Sequence, residues 1–380
     1  MTKPRVELIQ SEAGLHEAAR ELSGASRLYL DTEFESTRAG TTLCLLQLSR
    51  GDHTTFLIDT LRVDGLRPVS EVLANPQAEW VLHAGQQDVV LLMSSLALEK
   101  PPRLFDTQVA WALLGPESSV SLSYLQYRLL GIRSGKAHQA DDWKRRPLPA
   151  SQIAYAAADI EHLPALRSML GERLDGRART ELVSQASWET VRPEPEPAAP
   201  LALESFRNAW QLEAPNQAAL HALIGWYNAL SPGQQRRAPE PKTLLSIAGR
   251  LPRGLDDLSR IKGVSRSFVQ EHGAHLVHAL SRAADRANAD DHVVIEPPAY
   301  ATFEEIRLDA WLTLARAEIC AELCVAPELV LPGRVLRPIK AALLAHRDVQ
   351  RAAAQLQGWR EVLLKEAFLK FANERPLPAG

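Results

Sequence analysis

Cysteine is scarce in this chain: three residues in 380, Cys44, Cys320 and Cys324. That is too few for a disulfide framework, so a reducing, cytoplasmic setting is expected. Long apolar runs are also missing. No uncharged stretch approaches the roughly 20 residues that a bilayer-spanning helix needs. The amino terminus, MTKPRVELIQSEAG, lacks the apolar segment of a signal peptide, so no membrane association is expected. A cationic surplus is absent too. Lys and Arg number 43 against 46 Asp and Glu, a formal net charge of -3. This excludes histone-like attraction of a polyanion through global charge, and leaves a local patch or a bound metal as the means of meeting one. Finally, no glycine-rich turn follows the first strong strand. LYLDTEFES places acids where a doubly wound dinucleotide fold would place glycines, and that reading fails.

What remains is an ordinary globular composition, 46% hydrophobic and 23% charged, which rules out fibrous and disordered classes. The length suggests two or three domains. RPEPEPAAP, from Arg192 to Pro200, favours an extended spacer over helix. Residues 1–200 hold 21 Lys/Arg against 26 Asp/Glu, net -5, whereas residues 201–380 hold 22 against 20, net +2. A second, weaker boundary is ANADDHVVIEPPAY, Ala287 to Tyr300. The expected division is 1–192, a linker 193–202, a helical domain 203–286, a linker 287–299, and a second helical domain 300–375. Within the first part, RLYLDTEF, LCLLQLSR and TTFLIDT read as strands joined by turns, and EWVLHAG as a further strand. Helical spacing is expected over Asp88–Leu96, Thr107–Leu114, Ser121–Leu130 and Ser151–Leu174. Three antiparallel strands, a helix and another strand suggest a mixed sheet flanked by helices.

The acids stand at element ends. Asp31 and Glu33 are two apart on a strand, so their side chains share a face. Like charges that close repel, and a divalent cation relieves the repulsion. The apolar Leu28, Tyr29 and Leu30 before them favour a cleft over a free edge. Asp88 opens the helix after WVLHAG, where an acid also suits the helix dipole. His83, at that strand's end, reads in isolation as a packed or capping residue. In YAAADIEHL, Tyr155 and Asp159 are four apart and share one helix face, and the three alanines between them permit close approach of another element. Each piece alone has a plain structural account. Together, four carboxylates could converge on two metal ions about 3.5–4 Å apart, and all-oxygen ligation suits Mg²⁺ or Mn²⁺ rather than zinc.

In order and spacing, LYLDTEF, LHAGQQD and YAAAD resemble the three motifs of the DEDD superfamily of 3′→5′ exonucleases, and the Tyr four residues before the last Asp resembles the tyrosine-containing branch. FDTQVAWALLG and AHQADDWKRRPL further resemble the ribonuclease D family. Residues from about Leu203 to Asp285, with LDDLSRIKGV, resemble an HRDC domain, and the carboxy-terminal stretch sits where that family carries a second one. The resemblance implies an α/β RNase H-like exonuclease domain followed by two all-α HRDC-like domains. It implies metal-binding roles for Asp31, Glu33, Asp88 and Asp159, and a water-orienting role for Tyr155. It also implies release of nucleoside 5′-monophosphates from RNA 3′ ends, with tRNA precursors and other small structured RNAs as substrates.

Candidate substrate contacts are Phe34, His83, His138, Gln139, Trp143, Lys144 and Arg145. The last three belong to a short basic run that reads either as a phosphate grip or as a solvated loop. The hairpin loop ESTRAGTT is one residue shorter than the family's and lacks its aromatics, which implies altered contacts to the terminal nucleotides. A DNA exonuclease and a catalytically silent RNA-binding scaffold are the alternatives; the complete carboxylate set argues against the second. Cys320 and Cys324 read as core thiols, and a monomer is expected.

Overall fold

The computed structural model describes residues 5–37, 40–98, 103–133, 141–191, 200–202, 206, 208–235, 237–287 and 302–378. In chain order, the first part runs β1 (Arg5–Ile9), α1 (Glu12–Leu22), β2 (Arg27–Thr37), β3 (Gly40–Ser49), β4 (Thr54–Asp59), α2 (Arg67–Leu73), β5 (Glu79–Leu82), α3 (Gln86–Ser95), β6 (Arg103–Asp106), α4 (Thr107–Ala112) and α5 (Leu122–Leu125). It continues with α6 (Ala150–Glu161), α7 (Leu163–Asp175) and α8 (Thr180–Thr190). The six strands form one sheet in the order β1-β4-β3-β2-β5-β6. β2, β3 and β4 are antiparallel neighbours, while β1 joins β4, and β5 and β6 join β2, in parallel.

The expected mixed sheet is present, with strands added at both ends. β1 and β6 supply only five and four residues, too short for alternation to stand out from sequence. The helix expected over Ser151–Leu174 is two, α6 and α7, meeting at His162 with Pro164 in the first turn of α7. Proline there lacks the N–H that would continue the ladder.

One sheet face is packed by α1, α2 and α3 through Leu15, Leu22, Val69, Leu73, Val89 and Leu92. The other face is covered by α6, α7 and α8. At its edge Arg167 of α7 makes a two-pronged ion pair with Glu79 of β5 (2.8 and 3.1 Å) over the Phe105 ring.

The chain then forms α9 (Ala214–Asn228), α10 (Pro232–Gln235), α11 (Pro241–Arg250), α12 (Leu255–Ser259) and α13 (Arg266–Ala287), a separate compact unit spanning Pro195–Ala301. Its core is formed by Leu220, Leu223, Leu244, Ile247, Leu258, Phe268 and Leu276. The remaining helices are α14 (Phe303–Leu323), α15 (Pro327–Val330), α16 (Gly333–His346), α17 (Val349–Ala353) and α18 (Trp359–Glu374). They belong to the same compact unit as the sheet. Val109, Leu113, Leu182 and Val183 of the first part lie in one continuous apolar core with Leu312, Ile319, Val330 and Phe368. No helix among the described residues is long and apolar enough to cross a membrane.

Candidate active site

β2 pairs with β5 only through Arg27, Leu28 and Tyr29. Beyond Tyr29 it runs on with an open edge on that side, and there the strand carries Asp31 and Glu33. A β-bulge interrupts the β2–β3 register between Glu33 and Phe34, the kind of local kink that re-aims side chains near active sites. α3 starts immediately past the end of β5, so Asp88 in its first turn arrives at the same open edge. Thr32 Oγ1 donates a hydrogen bond to Asp88 Oδ1, tying strand and helix together. From the opposite side α6 crosses the sheet and presents Tyr155 and Asp159. The result is a cleft of about 460 Å³ into which Asp31, Glu33, Asp88, Tyr155 and Asp159 all face. A larger open hollow of about 680 Å³, between α1 and α2, is lined by Arg20, Arg67 and Glu71 and has no such gathering of acids.

Electrostatics define what the cleft wants. Burial, then the neighbouring Asp88, Asp159 and Glu33, push the Asp31 carboxyl well above the ordinary range. Burial and the charges of Asp159, Asp88 and Asp141 push Glu33 up to about 8. Burial raises Asp159 to about 6, opposed by the hydrogen bond it accepts from the Tyr155 hydroxyl. Burial also raises Asp88, against the Thr32 bond. Tyr155 is itself raised, by burial and then by the charges of Asp159 and Glu33, so it stays protonated. A positive charge in the cleft would relieve these carboxylates, replacing mutual repulsion by attraction. Among the described residues, no three acids, histidines or cysteines are grouped so as to hold a metal ion as they stand. Asp88 is already engaged by Thr32.

The remaining predicted contacts divide. Phe34 and His83 line the cleft. His83 is held at both nitrogens, Nδ1 to Thr107 Oγ1 (2.9 Å) and Nε2 to the Val120 carbonyl (3.0 Å). A carbonyl only accepts, so Nε2 carries the proton, and burial keeps the ring neutral. Trp143 is buried and packs on Tyr155, so it offers no open face to a nucleotide in this conformation. Lys144 and Arg145 are exposed. His138 and Gln139 lie outside the described residues.

Sequence reasoning missed Thr32, Gln108 and Asp106. Alternation along β2 places Thr32 on the far face, and only the helix reaching around the strand edge brings Asp88 to it. Gln108 lines the cleft and donates to the Val120 carbonyl (2.8 Å). Asp106 is buried and accepts from the backbone N–H groups of Ala84 and Gly85, each at 3.0 Å, and from Gln108 N at 2.8 Å. It therefore both caps α4 and pins the turn that launches Asp88. Ala84 sits there at φ 52°, a left-handed conformation that needs such support. Asp106→Ala is expected to cost about 2–4 kcal/mol in denaturant unfolding, from lost charged hydrogen bonds and two stranded N–H groups. Activity of the folded fraction should drop with it.

A mixed sheet whose open strand edge gathers four carboxylates and a tyrosine defines a 3′→5′ exonuclease of the DEDD type. Residues 6–175 match the 3′–5′ exonuclease family. The chain is 32% identical over 371 residues to ribonuclease D of Gluconacetobacter diazotrophicus, covering 92% of this chain and 88% of that protein. It is 30% identical to the ribonuclease D of Granulibacter bethesdensis, covering 90% and 87%. In fold it is similar to Escherichia coli RNase D, an exoribonuclease involved in structured RNA processing, with a TM-score of 0.72 at 23% identity, covering 99% of this chain and all of that one. The chain belongs to the ribonuclease D family and is a 3′→5′ exoribonuclease.

Proposed function

We propose that the cleft hydrolyses the terminal phosphodiester of RNA with two divalent cations, Mg²⁺ or Mn²⁺, held by Asp31, Glu33, Asp88 and Asp159, and releases nucleoside 5′-monophosphates. The observation that carries this is the convergence of four carboxylates, with Asp31, Glu33, Asp88 and Asp159 all raised above their ordinary range, around one protonated tyrosine. When bound, such ions supply Lewis acidity that activates the attacking water and offsets charge developing at the leaving 3′ oxygen. The side chains do the rest. Tyr155, donating to Asp159, is placed to orient the water rather than to deprotonate it. Phe34 and Leu122 provide apolar walls for the terminal nucleoside.

The substrates proposed are tRNA precursors and other small structured RNAs in the cytoplasm, a setting that suits three free thiols. The helical unit over 203–286 is proposed as an HRDC module that adds RNA affinity. It exposes Arg250, Arg253, Lys262 and Arg266, whereas the charge of residues 1–200 opposes a polyanion. The helices within 300–375 are proposed as the second HRDC-like element.

Matched RNA and DNA oligonucleotides incubated with Mg²⁺, Mn²⁺ or EDTA test this reading. RNA should yield 5′-monophosphates faster than DNA, and EDTA should stop both. Equal rates on the two sugars would overturn the RNA preference. For Tyr155→Phe, kcat is expected to fall by roughly 10²–10⁴-fold with metal affinity retained. An unchanged kcat would reduce Tyr155 to a packing residue.

A further inference from the structure

Within the run Trp143–Arg146, Lys144 and Arg145 are exposed, whereas the side chains of Trp143 and Arg146 turn inward. Trp143 is 2% exposed, and its ring centroid lies 6.3 Å from that of Tyr155. Its indole Nε1 has no hydrogen-bond partner among the described residues, so the residue is held by its backbone. The Trp143 N–H donates to Glu35 Oε1 (3.1 Å), and its carbonyl accepts from Arg146 Nη1 (2.7 Å). Arg146 also donates through Nη2 to the Cys44 carbonyl (2.9 Å) and to Asp59 Oδ1 (2.7 Å), and through Nε to Asp59 Oδ2 (2.7 Å). Asp59, fully buried at the end of β4, accepts in addition from Gln10 Nε2 (3.0 Å) and from the Leu61 N–H (3.2 Å).

A buried ion pair gains little net stability, because desolvating two charges offsets their attraction. A two-pronged Arg–carboxylate contact does impose one geometry. Here it locks the segment carrying Trp143 to the inner strands β3 and β4, and Trp143 in turn backs the Tyr155 ring. None of the three residues lines the cleft.

We propose that the Asp59–Arg146 pair is a positioning device for Tyr155. It seats Trp143 against the phenol ring so that the hydroxyl enters the cleft at a fixed angle, and it touches neither substrate nor metal. This rests on the water-orienting role proposed for Tyr155, and the test separates the two.

In the full-length protein, Arg146→Lys keeps the charge and removes the fork. The expected result is a fall in kcat of about 10–100-fold, the scale of a small misplacement, with KM for a short RNA and Mn²⁺ affinity each within about twofold. In a Tyr155→Phe background the same change should cost less than about twofold, because residues acting through one another are not additive. A readout independent of turnover is ¹⁹F NMR of the metal-free protein carrying 3-fluorotyrosine. The Tyr155 resonance, identified by its absence from Tyr155→Phe, should shift or broaden in Arg146→Lys. Multiplicative losses in the double variant, or an unmoved Tyr155 resonance, overturn the proposal. Should Tyr155→Phe alone retain full kcat, the tyrosine's role has failed, and the resonance still decides whether the pair positions the ring. If Arg146→Lys does not fold, Trp143→Phe leaves the ion pair intact. It should show a smaller loss, about 10-fold, with the same non-additivity, and additivity there is equally decisive.

Discussion

Asp31→Asn should inactivate the enzyme and, at the same time, make the metal-free protein more stable. The first effect follows from the loss of a carboxylate that no neighbour replaces: a cation's charge stabilisation is worth several kcal/mol, so the rate should fall by roughly 10³-fold or more. The second follows from the raised carboxyls. Glu33 titrates near 8, against an ordinary value of 4.5, and Asp31 lies well above its own. Between those limits the folded protein holds more protons than the unfolded chain, so its stability falls as pH rises from about 4.5 to about 8. Removing one charge relieves the others. In EDTA, thermal unfolding of the native protein should therefore drop by roughly 5 °C or more between pH 5 and pH 8. Asp31→Asn should flatten that slope, and saturating Mn²⁺ should flatten it for the native protein only. Asp159→Asn should behave in the same way. A folded Asp31→Asn with near-normal turnover would sink the assignment of Asp31 as a metal ligand.

Deleting residues 302–380 should unfold the catalytic unit, whereas deleting 195–301 and rejoining the ends through a flexible linker should not. The carboxy-terminal helices share the apolar core of the exonuclease part, and each large side chain they leave uncovered costs about 1.5–3 kcal/mol. Polar bonds pass between them as well. Arg179, buried, donates to the Leu113 carbonyl (2.7 Å) and to the Leu323 carbonyl (2.6 Å). The Ala326 N–H donates to the Ala112 carbonyl (2.7 Å). Glu189 of α8 accepts from Arg334 (2.6 Å), from Trp359 Nε1 (2.7 Å) and from Arg360. Glu189→Ala alone, which strands the buried Arg360, should cost about 2–4 kcal/mol. Circular dichroism melts check all three. A cooperative melt from residues 1–191 alone, close to that of the whole protein, would show that the helices are dispensable. The protein without 195–301 should cleave short RNA at a similar maximal rate, bind tRNA-sized RNA more weakly, and show a smaller salt dependence of affinity.

How far the sequence was legible depended on whether the information was local. Asp31 and Glu33 on one strand face, and Tyr155 and Asp159 on one helix face, follow from the two- and 3.6-residue periods, and the motifs' order and spacing identified the family. The basic run at 143–146 divides in a way that composition cannot foresee, because composition does not say where a side chain turns. Lys144 and Arg145 face solvent, whereas Trp143 is buried against Tyr155 and the Arg146 side chain turns in to an aspartate 87 residues away in the chain. The division at residue 300 rested on proline and acidic residues, which mark a connection but not what packs beyond it. By itself, then, the sequence determined which acids and which tyrosine pair locally, the mixed sheet and the family. Only the tertiary structure decided that β2 outruns β5 and so opens an edge for Asp88, that Asp106 and Thr32 hold that acid in place, and that the last five helices complete the core of the catalytic unit. Each of these is a contact between residues far apart in the chain, set by how buried surfaces fit together, and no local pattern encodes that fit.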